Sequence, residues 1–170
     1  MNRNFLLNDK KNLRELAMIV DLLRNDISRI SRPATVKVVD FPQLKTLQNV
    51  YHLVANITGE LEESSFLSII YALFPGGSIS GCPKIRACQI IEELETIPRG
   101  PYTGTLGYIR GNADMDFNIL IRTVFVCQNQ FSFNVGGGIT LLSNPNDEFD
   151  ETCYKAQNIL NSIQSTNKEF

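Results

Sequence analysis

Apolar residues recur at helical spacing over residues 9 to about 30, where Leu13, Ala17, Val20, Leu22 or Leu23, Ile27 and Ile30 mark one stripe. Met18, Ile19 and Leu22 make the other side apolar as well, and a helix apolar nearly all round is expected to be buried. Pro33 closes it, and the β-branched run 35–40 predicts a strand. From 47 to 61 the periodicity is ambiguous. Gly59 disfavours a long helix there, so a strand over 50–57, with Val50, Leu53, Val54 and Ile57, is preferred. Ser65 is placed to cap a helix over 66–74, and a second helix spans 83 to about 95 with Ala87, Ile90, Ile91 and Leu94 as its core stripe. Pro98, Gly100 and Pro101 break the chain into a β-rich part, with strands over 102–110 and 116–127 joined at Gly111-Asn112. A strand over 131–135 follows a turn near Gln128-Asn129. A last helix starts at Asn146 or Asp147, ends near Ile163 and packs through Phe149, Cys153, Ala156, Leu160 and Ile163.

Composition narrows the class. The 170 residues are 43% hydrophobic and 20% charged, enough for one core, and no linker divides them, so a single domain over 1–170 is expected. A net charge of −2 gives no electrostatic case for nucleic acid or an anionic membrane. The apolar run at the N-terminus is too short for a signal peptide and no 18-residue apolar span occurs, so a soluble, cytoplasmic protein is expected. Cys82, Cys88, Cys127 and Cys153 form no CxxC pair and have no His cluster beside them, which favours free, buried thiols over zinc or disulfides.

The chemistry gathers around the loop Pro75-Gly76-Gly77-Ser78-Ile79-Ser80-Gly81-Cys82-Pro83-Lys84-Ile85-Arg86. Its glycines allow positive φ and close backbone approach, Ser80 or Gly81 is placed as an N-cap, and Pro83 falls in the first helical turn. Converging N–H groups at a helix start favour an anion, although an ordinary capped loop reads the same way. It is not a Walker A loop, because Cys82-Pro83 stands where that motif needs Gly-Lys-Ser/Thr. Glu15 lies on the side of Met18, Ile19 and Leu22 and reads as a buried carboxylate needing a partner or metal, or else as an exposed helix-start carboxylate. Asp21, Arg24 and Asp26 read as structural pairing partners.

His52, the only histidine, reads by itself as a core residue. Gly104 and Gly107 suggest a bulge or a close backbone approach to ligand. Arg122, flanked by apolar residues in its strand, calls for a carboxylate from protein or ligand. Gly136, Gly137 and Gly138 are either a bulge or turn, or a set of bare backbone donors. Glu151 and Lys155 form an i,i+4 pair that, if exposed, contributes about 0.3–0.5 kcal/mol.

Residues 75–86 resemble the signature loop of the chorismate-utilising enzymes, and the resemblance continues in order along nearly the whole chain. It takes in Glu15-Leu16-Ala17-Met18-Ile19-Val20-Asp21-Leu22-Leu23-Arg24-Asn25-Asp26, Tyr51-His52-Leu53-Val54, Ile121-Arg122-Thr123, Gly136-Gly137-Gly138-Ile139 and Asp150-Glu151-Thr152-Cys153-Tyr154-Lys155. The resemblance implies an α+β fold, part of a two-sheet β-sandwich with outer helices, of which this chain is the C-terminal part. It further implies chorismate as substrate and Mg²⁺ on Glu15 and Glu151, holding the ring carboxylate. Arg122 and Tyr102 would take the enolpyruvyl carboxylate, with Lys155 and the N–H groups of Gly136, Gly137 and Gly138 as further donors. Ser78 matches a substrate-contacting hydroxyl, and His52 matches the active-site histidine near the departing ring hydroxyl, which reverses the bland reading of that residue.

Within the family, Pro75-Gly76-Gly77-Ser78 and Asp116-Phe117-Asn118-Ile119 are similar to aminodeoxychorismate synthase component I. That likeness implies replacement of the 4-hydroxyl by an amino group, with ammonia from a glutamine amidotransferase subunit. Anthranilate, isochorismate or salicylate formation are the alternatives. The family's Pro-Ile-Lys-Gly-Thr and Ser-Pro-Glu motifs, whose lysine and glutamate are proposed to form a covalent adduct and to act as general acid, do not occur here. The chain is therefore expected to be weakly active or inactive alone, to need a complementary N-terminal chain, or to be a remnant that serves as an interaction module.

Overall fold

The computed structural model describes Leu7 and residues 9–46, 51–62 and 65–166. Its contacts divide the chain into two compact units, Met1–Glu95 and Thr96–Phe170.

The first unit is built on α1, Lys10–Ser28. Asp9 stands just before it, its carbonyl accepting from the Leu13 amide at 3.0 Å and its carboxylate from Asn12 Nδ2 at 2.6 Å. At the far end Ser31 Oγ donates to the Ile27 carbonyl at 2.8 Å, supplying a partner that the terminating helix lacks. Val20, Leu22 and Asp26 are buried, whereas Met18 is 46% exposed. The expectation of a helix buried all round is thus corrected: one stripe is covered, by Lys37–Thr46, Tyr51–Thr58, Phe66–Leu73 and Gly77–Ser80 of the same unit.

Strands β1 (Lys37–Thr46) and β2 (Tyr51–Thr58) pair antiparallel from Lys37↔Thr58 to Thr46↔Tyr51. β1 outruns the strand expected over 35–40. Register shifts between Val38 and Gln43 bracket Pro42, so the residue without an N–H sits in an irregularity and pairing resumes beyond it. β2 is the strand preferred for 50–57; residues 47–50 of the ambiguous stretch lie outside the described residues. Helix α2 (Phe66–Leu73) follows Ser65, whose side chain makes no cap bond. A one-turn helix α3 (Gly77–Ser80) and helix α4 (Lys84–Leu94) complete the unit. The expected core stripe of α4 is corrected too. Ala87 and Ile91 are half-buried, while Ile90 and Leu94 are exposed, Leu94 by 74%.

The second unit holds two hairpins and a long helix. β3 (Thr105–Ile109) and β4 (Met115–Ile119) pair in unbroken register from Thr105↔Ile119 to Ile109↔Met115. Gly107 therefore marks no bulge. A Cβ there would collide with the Asp116 carbonyl oxygen and the Phe117 ring, so the close approach is to the partner strand. β5 (Phe125–Cys127) and β6 (Gln130–Ser132) are joined by Gln128 and Asn129, both at positive φ, 49° and 64°, which matches the twist of a two-residue hairpin turn. Helix α5, Pro145–Thr166, starts slightly earlier than expected. Asn144 precedes it with Oδ1 accepting from the Asn146 amide at 2.9 Å, and Asp147 and Glu148 lie in the first turn, where the helix dipole favours acids. The four cysteines are free thiols, but the expectation that they are buried is corrected: Cys82, Cys127 and Cys153 are exposed and Cys88 is half-buried. Among the described residues no single helix is long and apolar enough to cross a membrane.

Candidate active site

In the first unit α1 sets the frame. Glu15 is half-buried in its second turn, and Leu22 and Asp26 follow at spacings of seven and four, which bring all three onto one face. The signature loop lies on that face. Gly77 is buried against Leu22, where a Cβ would come within 2.6 Å of Cδ2 and 2.9 Å of Cγ, so only a glycine allows this approach. Ser78, the next residue, is exposed. At the other end of the loop Lys84 Nζ donates to Asp26 Oδ2 at 2.6 Å, with the two side chains 17% and 5% exposed.

Ser80 does not cap α4. Its hydroxyl donates back to the Gly76 carbonyl at 2.9 Å, and Gly81 follows at φ 130°. The residue in the N-cap position is Pro83, outside the first turn in which the sequence placed it, and its carbonyl accepts from the Ala87 amide at 3.0 Å. The reason is local: a serine hydroxyl held inside one turn of α3 cannot also face the start of α4. His52 is half-buried on β2, opposite Lys45 in the hairpin register.

In the second unit four of the expected residues meet. Lys155 Nζ donates to the Gly136 carbonyl at 3.0 Å and pairs with Glu151 Oε1 at 2.7 Å. On its other side Gly136 faces Tyr102: a Cβ at Gly136 would stand 2.7 Å from the phenol oxygen. Gly137 lies near Glu148, whose Oε2 is 3.5 Å from the corresponding Cβ position and whose Oε1 accepts from Ser143 Oγ at 2.6 Å. Glu148 was not picked out from sequence. The available signal is its position one turn before Glu151, which puts both on one face of α5. Gly136 takes part here through its carbonyl, an acceptor for Lys155, and the packing against Tyr102 explains the bare Cα better than a bulge does.

Arg122 differs from its expected setting. No strand runs through 116–127. β4 ends at Ile119, the Ile121 amide donates to the Ile119 carbonyl at 2.9 Å, and Arg122 is exposed with φ 51°. The tight bend turns the chain into β5, and an arginine on a bend is hydrated where one in a central strand would not be.

Gly136→Ala is expected to cost about 1–3 kcal/mol by overpacking against the phenol oxygen. Thermal unfolding of Gly136→Ala and of Gly136→Ala/Tyr102→Phe checks this: removing the hydroxyl should return more than half of the loss.

Residues 1–161 match the model of a family described as chorismate binding enzymes. The chain is 40% identical over 167 residues to aminodeoxychorismate synthase component 1 of Bacillus subtilis, covering 98% of this chain and 36% of that protein. It is 41% identical over 160 residues to anthranilate synthase component 1 of Aquifex aeolicus, covering 94% and 32%. Among solved structures, anthranilate synthase component I from Streptococcus pneumoniae superposes with a TM-score of 0.80 at 38% identity, over 92% of this chain and 36% of that one. The menaquinone-specific isochorismate synthase from Escherichia coli does so with a TM-score of 0.80 at 26% identity, over 92% and 36%. The chain spans about a third of the length of these relatives. The helix and strand arrangement agrees with the expected α+β class, and the chain belongs to the chorismate binding enzyme family.

Proposed function

We propose that this chain supplies the C-terminal, substrate-binding part of an enzyme that aminates chorismate at C4, with ammonia from a glutamine amidotransferase subunit. The observation that carries the binding reading is Lys155, fixed by the Gly136 carbonyl and Glu151 within 3.0 Å beside the Tyr102 hydroxyl. An ammonium held by two acceptors with a phenol close by suits a carboxylate, because the ammonium loses little freedom when it arrives. Arg122 and the N–H groups of Gly136, Gly137 and Gly138 would add to this grip on the enolpyruvyl carboxylate. Ser78 would contact the substrate through its exposed hydroxyl.

Mg²⁺ fits the donor chemistry. Glu15 and Glu151 offer hard carboxylate oxygens, and two protein carboxylates suffice for an ion that keeps several waters and takes oxygens from its substrate. Bound there, the ion would neutralise the ring carboxylate. His52 would hold or deliver a proton at the ring oxygen that leaves as water while ammonia forms the new C–N bond. The preference for amination rests on the wording of the Pro75-Gly76-Gly77-Ser78 and Asp116-Phe117-Asn118-Ile119 motifs.

A second reading, a chain that only binds diacids or partner proteins, is favoured by the exposure of Arg122 and by the missing lysine and general-acid motifs. Calorimetric titration with chorismate separates the two. Binding heat that requires Mg²⁺, and an affinity at least tenfold weaker in Glu151→Gln, about 1.4 kcal/mol, are expected for the first. A folded chain giving no Mg²⁺-dependent heat would exclude it.

A further inference from the structure

We infer that Asp26 and Lys84 are positioning residues: their buried pair holds the signature loop on the helix that carries Glu15, and so sets where Ser78 stands. The functional weight of this inference rests on the roles proposed above for Ser78 and Glu15. Its structural ground is independent of them. The signature loop and the start of α4 touch α1 through Gly77 on Leu22 and Lys84 on Asp26, which flank Ser78 in sequence. On α1 the two contact points are one turn apart on one face, and Glu15 lies two turns before Leu22 on that face. A continuous helix is stiff over this distance, so whatever is fixed to Leu22 and Asp26 is fixed relative to Glu15.

The two contacts are unequal. Gly77 on Leu22 is apolar packing that tolerates sliding. The 2.6 Å bond from Lys84 to Asp26 is directional, and it is charge-assisted at both ends. Gly81 adopts φ 130°, a conformation open mainly to glycine, and the Ser80 hydroxyl donates back to the Gly76 carbonyl just before α3. Cys82 and Pro83 are exposed. Without Lys84 the loop would lose this directional bond to α1, and Ser78 would be held less narrowly over that helix.

Amide hydrogen exchange on the whole chain tests this with three variants: Lys84→Met, Asp26→Asn/Lys84→Met and Lys84→Arg. Lys84→Met strands a carboxylate, so both the loop and α1 are expected to exchange faster. The double variant leaves no orphan charge. Its α1 amides at residues 20–24 should return to wild-type rates while the amides of residues 78–82 stay about tenfold faster. Lys84→Arg, which keeps a cation near Asp26, should hold the loop within about twofold of wild type. If loop and α1 recover together in the double variant, or if Lys84→Arg frees the loop as fully as Lys84→Met, the pair is a stability element only and the inference falls.

Titration with chorismate and Mg²⁺ adds the functional arm. The double variant is expected to bind at least tenfold more weakly than wild type at unchanged unfolding temperature. Equal binding by both would overturn the link to Ser78. A wild-type chain that binds no chorismate would instead refute the proposed function, and the exchange rates would still decide whether the pair tethers the loop.

Discussion

Mixing this chain with a separately made N-terminal part of a relative is expected to raise chorismate turnover by about three orders of magnitude or more over the chain alone. The estimate follows from what the 170 residues lack. The lysine and glutamate motifs that the family resemblance links to the covalent adduct and the general acid are absent. A positioned general acid by itself contributes about 10²–10⁴ in rate. Surface is available for a second chain to cover. Leu67, Tyr71 and Leu94 are exposed in the first unit, and Ile97, Ile139, Leu141 and Leu142 in the second. Chorismate consumption with ammonium and Mg²⁺, followed by product separation, reads the effect and identifies the reaction. A mixture of folded chains that stays at background would remove the catalytic reading.

Lys84→Met is expected to destabilise the chain by about 2–4 kcal/mol, which for a protein of this length lowers the melting temperature by roughly 5–15 °C. The contrast with Arg24 shows why. Arg24 and Asp21 are also 2.7 Å apart on α1, but their side chains are 58% and 73% exposed. Water competes for both charges there, so Arg24→Ala should cost no more than about 0.5 kcal/mol. Lys84 and Asp26 have nearly the same separation at 17% and 5% exposure. Removing the ammonium leaves Asp26 charged with little water to replace its partner. Chemical denaturation of the two variants in parallel checks the difference, and near-equal losses would show that burial does not govern these pairs.

Local elements could be read along the chain wherever one pattern dominated. α1 shows the 3.6-residue repeat over five turns, and its ends fall within two residues of those expected. The β5–β6 turn follows from Gln128-Asn129 between apolar runs. β1 was underestimated because Pro42 reads as a stop, whereas the pairing with β2 tolerates it within an irregularity. The strand expected across 116–127 failed for the converse reason. Ile119, Leu120 and Ile121 look continuous in sequence, and the bend at Arg122 has no glycine or proline to announce it. Backbone conformation there is imposed by the surrounding chain and not by the residue's own preference.

For the site, the sequence by itself determined the glycine-rich loop and a lysine one turn after Glu151, which short-range sterics and helix periodicity convert directly into local structure. The family, and with it the choice of Glu15 and Glu151, came from the resemblance of the motifs and not from composition or spacing. Only tertiary structure decided which groups meet. That Lys155 holds the carbonyl of Gly136, that Gly136 is bare to admit the Tyr102 hydroxyl, and that Asp26 pairs with Lys84, 58 residues on, are contacts between distant segments. Their geometry depends on how helices, hairpins and loops pack into a unit, and no local pattern encodes it, because each partner would satisfy its own neighbourhood equally well without the other.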